Sequence, residues 1–137
     1  MKLKILIVSA NYYKKISNSL VRDAKQILKN KKINYKIVDA PGVFEIPVII
    51  SRNIKKYHAF IALGCVIKGE TPHFDFISKA TTEAIMKLSI DSKKPIGNGI
   101  LTCLNMSQAI NRSNLNGHKR KGKEAAEAIL KVLGVTK

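Results

Sequence analysis

The chain has 137 residues, 45% of them hydrophobic, which suits a single packed core and makes two independent domains improbable. Charged residues make up 25%, with 8 Gly, 4 Pro and 2 Cys, a balance that argues against a disordered chain, a collagen-like repeat and a disulfide-rich miniature scaffold. The 25 Lys and Arg against 9 Asp and Glu leave a net charge of +16, so a nucleic-acid partner has to be weighed.

The first strand is predicted over Lys4–Ser9, a β-branched apolar run with no helical stripe. It starts right after the initiating Met and Lys and lacks both a long apolar segment and a small-residue cleavage site, so a cytoplasmic protein is expected. No apolar run approaches the ~20 residues of a membrane span. After Ala10-Asn11-Tyr12-Tyr13, the apolar residues Ile16, Leu20, Val21, Ala24, Ile27 and Leu28 recur at helical spacing and predict an amphipathic helix. A second strand over Tyr35–Val38 is followed by a Pro-Gly turn and a short helix over Ile46–Lys55. The third strand, Phe60–Leu63, leads into a Gly-containing loop and a long helix from His73 to about Ser89. A fourth strand over Ile96–Leu101 precedes a short helix near Met106–Asn111 and a last helix over Lys121–Leu133.

Strands alternating with helices imply right-handed βαβ units. The predicted fold is therefore a flavodoxin-like, three-layer α/β/α sandwich around a four-stranded parallel sheet, forming one domain over residues 1–137. Such sheets bind ligands beyond the carboxyl ends of their strands, here Ser9–Tyr13, Asp39–Phe44, Gly64–Pro72 and Thr102–Asn105.

The segment Gly64-Cys65-Val66-Ile67-Lys68-Gly69-Glu70-Thr71-Pro72-His73 is the richest of these. Its glycines permit close backbone approach, and the helix that follows favours an anion near Glu70 and Thr71, with phosphate the natural ligand. It matches neither the Walker A pattern nor the dinucleotide fingerprint. His73 stands at the mouth of the turn, as a helix-capping or surface residue or as a proton carrier near neutral pH. Cys65 beside it raises a thiol nucleophile, but nothing marks the thiol as activated. In Pro41-Gly42-Val43-Phe44-Glu45-Ile46-Pro47 a carboxylate is held among apolar neighbours, so Glu45 pairs with a ligand or complements a helix dipole. Tyr12 either packs or stacks on a planar heterocycle. Cys65 and Cys103 belong to no C-x-x-C or Cys/His cluster, so neither a metal site nor a disulfide is expected.

Taken in order, A-N-Y-Y, P-G-V-F-E-I-P and A-L-G-C-V-I-K-G-E-T-P-H-F-D-F closely resemble the 6,7-dimethyl-8-ribityllumazine synthase family. P-I-G-N-G-I-L-T and the Q-A-I-N-R stretch ending at Arg112 agree with it, so the resemblance covers nearly the whole chain. It implies condensation of 5-amino-6-(D-ribitylamino)uracil with 3,4-dihydroxy-2-butanone 4-phosphate, without metal or organic cofactor, to a lumazine that riboflavin synthase consumes. It also implies roles. Tyr12 would stack on the uracil; Val43, Phe44 and Glu45 would hold the ribityl chain; Cys65, Val66 and Ile67 would meet the pyrimidine mainly through backbone; and Asn98 would close over the heterocycle. Glu70, Thr71 and Arg112 would bind the phosphate, and His73 would transfer protons.

The family's sites lie between subunits of a pentamer, with the counterparts of Asn98 and Arg112 supplied by the adjacent chain, and some members build a hollow shell of pentamers. This sequence departs from the family in four places. Its amino terminus is short, and the turn N-L-N-G-H-K-R-K-G replaces the sequence usual in shell-forming members, which together imply a free pentamer. Asn98 stands where Phe is frequent, and Tyr13 where Asn is.

Two other readings remain. The charge fits a basic nucleic-acid-binding α/β domain, although the excess is nearly all Lys, is spread along the chain, and is densest at His118–Lys123, where no aromatic is interleaved. The sheet and the phosphate turn also fit a flavodoxin-like FMN carrier.

Overall fold

The computed structural model describes residues 2–113 and 119–135. In chain order the elements are β1 (Lys4–Ala10), α1 (Lys14–Asn30), β2 (Asn34–Ala40), a single 3-10 turn (Val43–Glu45), α2 (Ile46–Arg52), β3 (Ala59–Ile67), α3 (His73–Ser92), β4 (Ile96–Cys103), α4 (Met106–Ser113) and α5 (Lys121–Val132). The four strands form one sheet in the order β2-β1-β3-β4, with all three pairings parallel. The three-layer α/β/α sandwich expected from the alternation of elements is the architecture observed.

Successive residues of a strand point to opposite faces, so the buried strands must be apolar on both. Ile5, Ile7, Ile61, Leu63 and Leu101 join the core under α1, α4 and α5. Leu6, Val8, Phe60, Ala62 and Ile100 join the second core, under α2 and α3. This explains why β1 and β3 read as unbroken apolar runs.

Two elements run well past their expected ends. β3 continues four residues beyond Leu63, because Gly64 to Ile67 pair with Ile100 to Cys103 of β4. Gly64 is therefore a strand residue, not the start of a loop. The last helical turns of α3 extend to Ser92 and close on Lys93 in a left-handed conformation (φ 60°). Conversely, α2 stops at Arg52 short of the expected Lys55, where the Asn53 side chain donates to the carbonyl of Ile49 at 2.8 Å. Most of the departing turn at 114–122, and His118 at the head of the basic cluster, lie outside the described residues.

α1 and α5 pack side by side at unusually close range. Gly122 sits directly on the backbone of Leu20, so that a Cβ there would strike the Leu20 carbonyl. The same pair of helices is tied by Arg120, which donates through Nη2 to Asp23 Oδ1 at 2.9 Å and through Nε to Oδ2 at 3.3 Å. Asp23 is only 2% exposed, so its charge requires this fork-shaped partner. One cation of the basic cluster is thus an internal structural element.

Replacing Gly122 by Ala is expected to destabilise the fold by about 2 kcal/mol, because backbone of α1 cannot yield as a flexible side chain would. Urea unfolding checks this; a midpoint equal to that of the unaltered protein would mean that the helices separate without cost.

Candidate active site

The positions of the helices dictate where a ligand can enter. β1 and β3 are neighbours in the sheet, but α1 departs from β1 over one face and α3 departs from β3 over the other. Between the two departures a crevice opens beyond the strand ends. A cleft of about 680 Å³ occupies this place, within the range of small-molecule sites.

Each wall comes from one of the strand ends. Tyr12 and Tyr13 follow β1; Gly42, Val43, Phe44 and Glu45 follow β2; Cys65, Val66 and Ile67 close β3; His73 and Ile77 come from the first turns of α3. Gly64 sets how closely these walls meet. A Cβ on it would lie 2.8 Å from Val43 Cγ2 and 3.3 Å from Ala10 Cβ, so only a glycine lets the 3-10 turn seat against β1 and β3. Glu45 is half-buried just before α2; its backbone N–H donates to the Gly42 carbonyl at 3.2 Å, while its side chain makes no hydrogen bond or ion pair among the described residues. Its carboxylate is free to accept from a ligand. Tyr12 is 77% exposed and Phe44 60%, two aromatic rings at the rim that only a ligand or a second chain could cover.

The floor of the cleft includes Cys65, which is buried. Burial, reinforced by the neighbouring Cys103 thiol, pushes the Cys65 thiol up to about 12. The thiolate is disfavoured, which argues against Cys65 as a nucleophile. Burial also raises the Tyr13 phenol, with smaller contributions from Tyr12 and Cys65. Both groups keep their protons at neutral pH.

The remaining sequence-derived residues lie elsewhere. Thr71 lies just before the Pro72 N-cap of α3, its Oγ1 accepting from the His73 backbone N–H at 3.4 Å, while Glu70 precedes it in the exposed turn; neither lines the cleft. Asn98 is exposed on the edge strand β4, with Oδ1 accepting from the Ile100 N–H at 3.1 Å. Arg112, at the end of α4, donates from Nη1 to Cys103 Sγ at 3.7 Å. It opens on a separate pocket of about 240 Å³ beside Thr102, Lys119, Lys121 and Glu124. No carboxylate lies within ion-pairing distance of Arg112 among the described residues. The chain therefore gathers residues after β1, β2 and β3 into one cleft, whose lining includes neither Asn98 nor Arg112. Among the described residues no three His, Cys, Asp or Glu side chains cluster as metal ligands, and no helix is long and apolar enough to cross a membrane.

Compared with known proteins, residues 2–137 match the model of a family described as 6,7-dimethyl-8-ribityllumazine synthase. The chain belongs to that family. It is 40% identical to the 6,7-dimethyl-8-ribityllumazine synthase of Bartonella tribocorum, across 99% of this chain and 91% of the relative. The enzymes of the same name from Bartonella henselae and Corynebacterium kroppenstedtii are 41% and 35% identical, over 99% and 93% of this chain and 90% and 81% of theirs. Membership makes the chain an enzyme.

Within this lumazine synthase scaffold some residues act without a motif of their own. Asn105 and Gln108 form a reciprocal cap at the start of α4: Asn105 Oδ1 accepts from the Gln108 N–H at 2.9 Å, and Gln108 Oε1 accepts from the Leu104 N–H at 2.8 Å. This cap sets the direction of the helix that carries Arg112. An Asn followed three residues later by Gln is a signature that the sequence did contain. Ile77 lines the cleft although it belongs to no chemical motif, and Tyr13, where the family often has Asn, lines it beside Tyr12.

The raised Cys65 thiol gives a direct test with a worked sign. Alkylation requires the thiolate, so at pH 8 iodoacetamide should modify Cys65 more than about a hundredfold slower than free cysteine, with the rate climbing as pH rises toward 12. Mass spectrometry of the labelled chain reads this; a rate equal to that of free cysteine would contradict the buried setting.

Proposed function

We propose that this chain condenses 5-amino-6-(D-ribitylamino)uracil with 3,4-dihydroxy-2-butanone 4-phosphate to 6,7-dimethyl-8-ribityllumazine, releasing phosphate and water, as a step of riboflavin biosynthesis. The observation that carries the reading is the single cleft that joins an exposed aromatic ring, a free carboxylate and a histidine at the helix start. Tyr12 supplies a face for the uracil, and Glu45 with the turn at Val43 and Phe44 supplies an acceptor and an apolar shelf for the polyol chain. The ends of Cys65, Val66 and Ile67 offer backbone groups to the pyrimidine edge. No cofactor has to enter: an amine adding to a ketone requires approach and proton transfer, and orientation alone can contribute about 7–11 kcal/mol.

His73 is placed to pass protons during imine formation, phosphate loss and ring closure, a contribution of about 10² to 10⁴ in rate. Glu70 and Thr71 form the turn that receives the phosphate, and Arg112 completes it from an adjacent subunit. A homopentamer with sites between subunits is supported by two observations. Asn98 and Arg112 do not line their own chain's cleft, and Phe76, Met86 and Ile90 leave much of α3 apolar and exposed, at 69%, 59% and 65%. Two free cysteines fit a reducing, cytoplasmic location.

Purified protein mixed with the two substrates should form lumazine, followed by absorbance and fluorescence, well above the spontaneous rate. A folded protein that gives no acceleration would overturn the assignment. His73→Ala should lower kcat by about 10² or more while leaving the assembly intact. Arg112→Lys should raise KM for the butanone phosphate by about tenfold, because a point charge replaces a planar fork; an unchanged KM would remove Arg112 from the phosphate site.

A further inference from the structure

Tyr12 poses a difficulty for a stacking platform. It is 77% exposed, and no hydrogen bond reaches its hydroxyl among the described residues. A ring on the surface samples several rotamers, and immobilising it opposes binding. Some neighbour must hold it if it is to present one face to a ligand.

Tyr13 has the properties of such a neighbour. Its ring centroid lies 4.9 Å from that of Tyr12 with the planes at 86°, the edge-to-face arrangement favoured by aromatic quadrupoles. Unlike Tyr12 it is anchored. The side chain is half-buried against the core beneath α1, α4 and α5. Its backbone caps α1, with the carbonyl accepting from the Ser17 N–H at 2.9 Å. The phenol stays neutral, so it places no charge beside an anionic substrate. Tyr13 also lines the cleft together with Tyr12.

We propose that Tyr13 is a substrate-positioning residue, whose anchored ring holds Tyr12 edge-to-face and so fixes the platform on which the planar ring of the amine substrate stacks. The inference rests on the reading of Tyr12 given above. An ordinary core tyrosine would contribute stability but would not discriminate between the two substrates.

The test compares the unaltered protein with Tyr13→Phe, which keeps the ring, and Tyr13→Leu, which keeps apolar bulk without it. Tyr13→Leu should raise KM for the ribitylaminouracil by about three- to tenfold, with kcat and KM for the butanone phosphate within about twofold, and Tyr13→Phe should restore the original value. A second readout needs no turnover. The chain has 4 Tyr, so fluorotyrosine labelling gives a short 19F spectrum, in which Tyr12 is assigned through Tyr12→Phe. The Tyr12 line should shift and narrow in Tyr13→Leu and stay in place in Tyr13→Phe. Equal KM values in the Leu and Phe variants would overturn the proposal while leaving the enzyme reading intact. A raised KM with an unmoved Tyr12 line would overturn it too, since Tyr13 would then act by direct contact. An unaltered protein that makes no lumazine would instead overturn the function, and this proposal with it.

Discussion

Two adjacent strands, β1 and β3, hand the chain to helices on opposite faces of the sheet, and the cleft follows from that divergence. The cause is handedness. From β1 the chain crosses to β2 at one edge, whereas from β3 it crosses to β4 at the other. A right-handed crossover in one direction places its helix on one face, and in the reverse direction on the other. The crevice thus exists before any chemical group is chosen, and the segments after β1, β2 and β3 have nowhere else to end. Tyr12, Glu45, Cys65 and His73 come from distant parts of the sequence, and a single topological constraint brings them together.

Much of this was legible because the signals were local and repeated. Apolar runs of strand length separated by helical periodicity specify a parallel sheet, and a parallel sheet specifies where to look. The failures have a common physical source. Gly64 reads as a turn residue, yet in the fold its missing Cβ serves packing: it lets Val43 and Ala10 approach while β3 continues alongside β4. Gly122 and the Asp23–Arg120 pair likewise depend on partners about a hundred residues away, which no local pattern announces. The cap formed by Asn105 and Gln108 differs from these, since its three-residue spacing is local and present in the sequence.

Residues left outside the cleft are as informative as those inside. Among the described residues Arg112 has no carboxylate partner and donates only to the weak thiol acceptor of Cys103. A half-buried guanidinium left in that state favours an anion. Asn98, by contrast, spends its side-chain oxygen on its own strand, which fixes its orientation at the sheet edge. Both are held in place by their own chain, and neither lines that chain's cleft. The proposed completion of the site by a second copy draws support from this, and from the apolar residues that α3 leaves exposed.

The net charge of +16 has to be read with the same attention to distance. At physiological ionic strength a charge is felt over about 8 Å, so most of the lysines are electrically remote from any one site. Arg120 is already neutralised internally by Asp23. Lys14 follows directly on Tyr13 and Lys68 on Ile67, so these two stand next to cleft residues in the chain and can raise the local concentration of a phosphate ester. Lys94 donates to the carbonyl of Ile54 and Lys87 pairs with Asp91, so these two have local structural partners. A large total charge therefore does not require a polyanionic partner: what a site attracts is decided by the few cations beside it, here Lys14 and Lys68 next to the cleft residues and Arg112, Lys119 and Lys121 around the smaller pocket.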